Sequence, residues 1–69
     1  MITFVAHEAN VEEHVIVTRG RLRVTLGDQA YLLTEGDVLW FLAGVSHQFE
    51  NTGRGRCEYI IVIDRGQRP

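Results

Sequence analysis

Apolar and polar residues alternate along most of this chain, in short runs that are typical of β-strands with one buried face. The clearest run spans residues 21–26, where every second position is aliphatic and the positions between are polar. The aliphatic members are Leu22, Val24 and Leu26. A preceding run places Val15 and Val17 on one face, and Glu13 occupies the next position of that face. No segment has the spacing of an amphipathic helix, so the sequence predicts strands throughout.

Glycines separate these runs from one another. The chain has seven glycines and a single proline, which is the last residue. Gly27-Asp28 is typical of a hairpin turn, and residues 34–37 (TEGD) predict the next turn. Residues 57–64 alternate again and are predicted as the last strand. Many short strands with regular turns and no helix indicate an all-β fold, either a small antiparallel β-barrel or a jelly-roll-like sandwich.

The length of the chain, 69 residues, allows one domain, and we assign residues 1–69 to it. A domain of this size buries only about 60% of the surface of its unfolded chain, so an unusually apolar interior, a bound metal or self-association must compensate for its small core. The single cysteine, Cys57, excludes an internal disulfide and favours a reducing compartment. The N-terminus lacks the basic start of a signal peptide, so we expect a cytoplasmic protein, either a complete miniature or a piece of a longer one.

Charge and hydropathy argue against two classes of partner. The formal net charge of -2 provides no basic field for direct nucleic-acid binding. Arg19, Arg21 and Arg23 alternate along the chain, and we interpret them as a solvated strand face. No run approaches the roughly 18 apolar residues that a membrane span requires, so we expect no membrane insertion.

The most informative stretch is residues 36–51, GDVLWFLAGVSHQFEN. Strand alternation places His47, Phe49 and Asn51 on one face, which we expect to point inward. Asn51 is predicted to close a turn or bond the backbone at the end of the strand. The spacing resembles the second sequence motif of the cupin family: Gly36, Gly44, His47 and Asn51 match it, while Leu42 replaces the usual proline.

An earlier stretch resembles the first cupin motif, which places two histidines at alternate positions, then a glutamate, then a glycine seven residues later. His7 matches the first histidine, and Glu13 and Gly20 match the glutamate and the glycine. Ala9 stands where the second histidine belongs. The resemblance extends from His7 to about Ile63 and implies the cupin fold.

Residues 7–24, HEANVEEHVIVTRGRLRV, are also similar to the cupin domain at the C-terminus of helix-turn-helix transcription regulators. Asn10 departs from the glycine of that pattern. The sequence contains no DNA-binding domain, so the resemblance implies a small-molecule-sensing or accessory barrel rather than a regulator.

The cupin resemblance implies that His7, Glu13 and His47 are candidate metal ligands. Two histidines and one carboxylate suit non-haem iron, and the same donors accept manganese, zinc, nickel or copper. Because Ala9 removes one usual ligand, a second interpretation stays open, in which His47 is buried without metal and Glu13 accepts its hydrogen bond or one from water. His14 points away from Glu13 by strand alternation and is interpreted as a surface or interface residue.

Trp40 lies in a run that is apolar on both faces. One face should line the interior, and the other predicts a subunit interface that includes Val38, Trp40, Ile60 and Val62. We therefore expect a homodimer. Cys57 has no neighbouring base or basic group in the sequence and is interpreted as a small buried hydrophobe.

Three functions are compatible with these features. The first is a binding module that holds a metal ion or a small organic molecule without catalysis. The second is a metal-dependent enzyme of dioxygenase or isomerase type that uses His7, Glu13 and His47. The third is a structural or interaction barrel. The sequence favours the first over the second because Ala9 weakens the metal site.

Overall fold

The computed structural model describes residues 1–5, 11–42, 44 and 46–65, with backbone only for residues 4 and 5. It confirms the predicted all-β class, since the described residues form seven strands and no helix. The strands are β1 (Ile2–Val5), β2 (Glu12–Arg19), β3 (Arg21–Leu26), β4 (Gln29–Thr34), β5 (Val38–Leu42), β6 (His47–Asn51) and β7 (Glu58–Asp64).

The strands form two sheets, as the predicted jelly-roll-like sandwich requires. One sheet has the order β1-β5-β2-β7 and the other has the order β4-β3-β6. All pairings are antiparallel except that of β1 with β5, which is parallel. β1 was not predicted from the sequence, because the residues of Ile2–Val5 do not alternate clearly between apolar and polar. No helix in the described part of the chain is long and apolar enough to cross a membrane.

The core lies between the sheets and follows the predicted alternation. In β2 and β3, every second side chain is buried, and in β5 Leu39 and Phe41 are fully buried while their neighbours are half-buried. The buried hydrophobic residues are Val15, Val17, Leu22, Val24, Leu26, Leu33, Leu39 and Phe41. Burial of aliphatic and aromatic side chains at about 25 cal/mol per Å² is the main force that holds the sheets together.

Gly20 forms the tight connection between β2 and β3. Its φ of 83° lies in the left-handed region, which glycine adopts without steric cost. A Cβ atom at this position would also lie 2.5 Å from the carbonyl oxygen of Arg56. The loop before β7 therefore packs directly on this turn, and only glycine leaves room for it.

Asp37 fixes the turn between β4 and β5. Its Oδ2 accepts the backbone N–H of Thr34 at 2.8 Å, and its Oδ1 accepts the amino group of Met1 at 2.9 Å. These two hydrogen bonds hold the pKa of the Asp37 carboxyl below its usual value. Asp37 therefore links the N-terminus, which directly precedes β1, to the start of β5, the strand with which β1 pairs.

β7 forms an edge of the first sheet and is exposed along its whole length. Its five apolar residues keep between 38% and 52% of their surface accessible. They are Tyr59, Ile60, Ile61, Val62 and Ile63. Cys57 precedes this strand and packs against the core, but it is only partly buried and so is more exposed than the small buried hydrophobe that the sequence predicted. The reason is its position in the loop beside an edge strand, where one side stays open to solvent.

Candidate functional site

Glu13 is the one charged residue among the buried side chains of the described residues. It lies on β2, on the same inward face as Val15 and Val17, and is 7% exposed. The strand register places it between Phe41 of β5 and Ile63 of β7. The Glu13 carboxylate is therefore buried among apolar residues at one end of the first sheet.

His47 approaches the same place from the second sheet. It is the first residue of β6 and lies opposite Leu26 of β3. Its Nε2 is 3.8 Å from Glu13 Oε2, so the structure brings together two of the three predicted ligands. The His47 side chain keeps 38% of its surface accessible. It is more exposed than the buried position that the sequence predicted, because it stands at the very end of an edge strand.

The Oε2 atom of Glu13 is buried, and no hydrogen-bond partner reaches it among the described residues. The 3.8 Å separation from His47 Nε2 is longer than a hydrogen bond. A buried charge without a partner is costly, and a cation or a hydrogen-bond donor next to Oε2 would offset that cost. The geometry therefore leaves one buried acceptor atom next to His47, whose imidazole is partly open to solvent.

Aromatic rings form the wall around His47. Its ring lies 5.7 Å from Phe41 and 5.9 Å from Phe49, measured between centroids. Phe49 in turn meets the edge of the Tyr59 ring at 5.5 Å. Phe49 was predicted to share the face of His47, whereas Tyr59 was not predicted to belong to the site. The sequence did contain a sign of this contact, because strand alternation places Tyr59 on the inward face of β7, opposite the buried Val17.

The donors present fit a metal ion only in part. Glu13 and His47 supply an oxygen and an imidazole nitrogen, which iron, manganese, zinc, nickel and copper all accept. Among the described residues, no group of three histidine, cysteine or acidic side chains is placed to hold an ion. The third predicted ligand, His7, and the neighbouring Ala9 lie outside the described residues.

His14 lies on the opposite face of β2 from Glu13, as the sequence predicted. Its ring packs against Trp40, with centroids 5.0 Å apart. The Trp40 indole N–H donates a hydrogen bond of 3.1 Å to Glu12 Oε1, which the sequence analysis did not anticipate. His14 is therefore part of the outer face of the sheet and is separated from the candidate site.

Asn51 stabilises the loop at the other end of β6. Its Nδ2 donates to the carbonyl of Gly55 at 3.0 Å, and its Oδ1 accepts the N–H of Gly53 at 2.9 Å. This confirms the prediction that Asn51 closes a turn at the end of its strand. Its role is structural, while His47, four residues earlier, faces the candidate site.

The fold and this pair of residues agree with a cupin domain, whose family pattern matches residues 2–63. The chain belongs to the cupin domain family. It is 42% identical over 50 residues to the xanthan biosynthesis protein XanB of Xanthomonas campestris pv. campestris (strain B100). That alignment covers 72% of this chain and 11% of XanB, so the chain spans only a small part of that relative's length. No solved structure matches the chain significantly.

Proposed function

We propose that this protein is a cupin-type binding module that holds a metal ion or a small organic molecule beside Glu13 and His47, without catalysis of its own. The observation that carries the proposal is the buried Glu13 Oε2, which has no hydrogen-bond partner among the described residues. A bound cation or donor group at this atom would offset the cost of the buried carboxylate.

His47 supports the proposal through its exposure and its position. With 38% of its side chain accessible, it can contact a ligand that enters from solvent. The half-buried ring of Phe49 beside it provides an apolar wall for an organic ligand, and the fully buried ring of Phe41 packs against His47 from the core. Mostly apolar walls with a few placed polar groups are the usual composition of small-molecule sites.

A divalent metal ion is the first candidate occupant, with Glu13 Oε2 and His47 Nε2 as ligands and His7 as the predicted third. Such an ion would polarise an oxygen atom of a bound ligand. The residues of this chain would then orient the ligand and exclude water through the aromatic wall. The absence of a fourth family ligand, which Ala9 implies, favours binding over turnover.

A metal-dependent enzyme of dioxygenase or isomerase type is the second candidate function, using His7, Glu13 and His47. Its support is the resemblance of 50 residues to a protein that is named for biosynthesis. Among the described residues, no third acidic, histidine or cysteine side chain is grouped with Glu13 and His47. We therefore rank binding first, because fold alone does not define a reaction.

The sequence similarity to the C-terminal cupin domains of transcription regulators suggests that the binding module acts as a ligand sensor. In that role the domain would act in the cytoplasm and would respond to the ligand by a change in stability or association. This role rests on the sequence pattern of residues 7–24 alone.

We further propose that two copies of the chain associate through the outer face of the first sheet. The register aligns Ile16 with Val38 and Ile60, and His14 with Trp40 and Val62. The centre of this face is apolar apart from His14, and its acidic residues, Glu12, Glu58 and Asp64, lie at its ends. Two identical faces can therefore meet about a two-fold axis without repulsion between like charges. Burial of the face would also compensate for the small core.

A thermal-shift screen of the full chain tests the proposed function. Divalent cations, small acids, amino acids and sugars would be added to the wild type, His47→Ala and His14→Ala. A ligand at 100 times its Kd should stabilise the wild type by about 2.7 kcal/mol. The His14→Ala control should keep the shift and His47→Ala should lose it. A screen with no shift in the wild type would favour the structural role instead.

A further inference from the structure

A second concave site lies at the opposite end of the sandwich from Glu13 and His47. It is a cleft of about 570 Å³ between the β2–β3 turn and the loop that precedes β7. We call it the arginine cleft, because four of its lining side chains are arginines. Its lining residues are Arg19, Gly20, Arg21, Glu35, Thr52, Gly53, Arg54, Gly55 and Arg56.

The arginine cleft concentrates positive charge on an acidic protein. The chain carries seven basic residues, all arginine, and a formal net charge of -2. Four of the seven line this one cleft, where Glu35 is the single acidic lining residue. A concave surface lined by charges of one sign focuses the electrostatic field and raises the local concentration of oppositely charged ligands. The cleft therefore attracts anions although the protein as a whole repels them.

Most of these guanidinium groups lack an acidic partner within the described part of the chain. Arg19, Arg21 and Arg54 form no ion pair there, and Arg56 reaches Glu58 Oε1 only at 3.5 Å on the surface. Arg23 behaves differently, because its guanidinium binds Glu50 Oε1 at 2.5 Å. Arg19 and Arg21 are therefore more than the solvated strand face that the sequence predicted, because Arg54 and Arg56 line the same cleft.

The loop that carries Arg54 and Arg56 is held in place by several contacts. The two hydrogen bonds of the Asn51 side chain close it, and the N–H of Thr52 donates to the carbonyl of Arg21 at 3.3 Å. The backbone of Arg56 packs on Gly20, which has no room for a Cβ atom. The four arginines are therefore presented by backbone whose arrangement is fixed before any ligand binds, which lowers the cost of binding.

We propose that the arginine cleft is a binding site for a small phosphorylated anion that carries two phosphoryl groups. Guanidinium groups form bidentate hydrogen bonds to phosphate oxygens, and two phosphoryl groups bring roughly three to four negative charges to meet four arginines. The volume of the cleft lies in the range of small-molecule sites, roughly 300–1,000 Å³. Glu35 lines the cleft and Glu58 lies beside Arg56, and these carboxylates would repel a longer polyanion such as a nucleic acid.

The arginine cleft is distinct from the Glu13–His47 site. Glu13 and Arg19 are six residues apart on β2, which corresponds to about 20 Å at 3.3 Å per residue. His47 and Asn51 likewise mark opposite ends of β6. The proposal therefore does not depend on whether a metal or another ligand binds at Glu13.

Isothermal titration of the full chain with sodium pyrophosphate tests the proposal. Arg54→Gln and Arg56→Gln should each weaken the wild-type affinity by about tenfold or more, because each removes hydrogen bonds to a charged group. Arg65→Gln makes the same change in net charge beyond the end of β7, far from the cleft, and should change the affinity by less than about twofold. Arg54→Lys and Arg56→Lys keep the charge and should give intermediate losses, which covers the case in which a glutamine variant fails to fold.

Three results would overturn the proposal. The first is no detectable binding when pyrophosphate is added to the folded wild type at about 10 mM. A site with a Kd of about 1 mM would be almost saturated at that concentration. The second is an equal loss of affinity in Arg65→Gln and Arg54→Gln, which would indicate a general effect of net charge. The third is tighter binding of a single-stranded oligonucleotide than of pyrophosphate, which would identify a nucleic-acid surface instead.

Discussion

Glu13 and His47 belong to different sheets, and the sandwich brings Glu13 Oε2 to 3.8 Å from His47 Nε2. The carboxylate is buried while the imidazole is partly open to solvent. This arrangement places a buried acceptor behind an accessible donor or ligand. The two side chains lie at one end of the fold, and we propose that a ligand binds beside them.

Replacement of Glu13 by glutamine should stabilise the ligand-free protein. The change replaces a carboxylate whose Oε2 is buried without a hydrogen-bond partner among the described residues with a neutral amide, which costs less to bury, so we expect a gain of about 1 kcal/mol in the free energy of unfolding. Urea denaturation of wild type and Glu13→Gln measures it. Glu35→Gln, an exposed change of the same chemistry, should stay within about 0.5 kcal/mol of wild type. A loss of stability in Glu13→Gln would mean that the carboxylate is already compensated.

Replacement of Val62 by glutamate should dissociate the proposed dimer. Val62 lies on the outer face of β7, the edge strand of the first sheet, and is 45% exposed, so a charge there would be buried without a partner in the proposed interface. Light scattering coupled to size exclusion should give about half the wild-type mass at equal concentration. Leu32→Glu is the matched control, because Leu32 is exposed on the other sheet and should leave the mass unchanged. A monomeric wild type would refute the interface.

Replacement of Asp37 by asparagine should destabilise the fold in a way that depends on pH. The hydrogen bond from the Thr34 N–H and that from the Met1 amino group hold the pKa of Asp37 below its usual value of 3.8. A carboxyl with a lowered folded-state pKa stabilises the fold above its unfolded value, and this contribution is lost as the pH falls through the folded-state pKa. The urea midpoint of Asp37→Asn should be below wild type near neutral pH. The two midpoints should converge well below pH 3.8, and a constant difference would argue against this origin.

Replacement of Gly20 by alanine should destabilise the protein more than replacement of Gly36. Both glycines have positive φ, which costs alanine about 1–2 kcal/mol. At Gly20 the new Cβ would also lie 2.5 Å from the Arg56 carbonyl, whereas nothing lies within 4 Å at Gly36. Gly55→Ala, at a position with open space and no positive φ, serves as the control with little expected effect. Thermal denaturation of the three variants should give the order Gly20, Gly36, Gly55 from largest to smallest loss.

Strand alternation alone was sufficient to predict much of the fold. It identified the buried faces of β2 and β3 because apolar and polar side chains alternate there, whereas β5 is apolar on both faces and only its packing shows that Leu39 and Phe41 lie in the core. It did not identify β1, whose edge position and parallel pairing leave no such pattern in four residues. It also gave no sign that β7 would be exposed on both faces, since exposure depends on which strands lie beside it.

The candidate site was predicted only in part, and from motif spacing rather than from periodicity. Alternation placed Glu13 on the inward face, but the contact with His47 joins two sheets and depends on their packing. The arginine cleft shows the same limit, because Arg19 and Arg54 are distant in sequence and meet only through the loop held by Asn51. Contacts of this kind are set by tertiary packing, which a pattern of neighbouring residues does not encode.

Metal content tests most directly whether Glu13 and His47 form a binding site. Purified wild type, Glu13→Gln, His47→Ala and His14→Ala would be dialysed against iron, manganese, zinc, nickel and copper and measured by elemental analysis. We expect about one equivalent of one metal in wild type and His14→Ala, and at least a tenfold loss of affinity when either ligand is removed. Equal metal content in all four proteins would contradict the assignment of Glu13 and His47. Less than about a tenth of an equivalent in wild type would exclude the metal, and with no thermal shift from any organic ligand it would refute the proposed binding site.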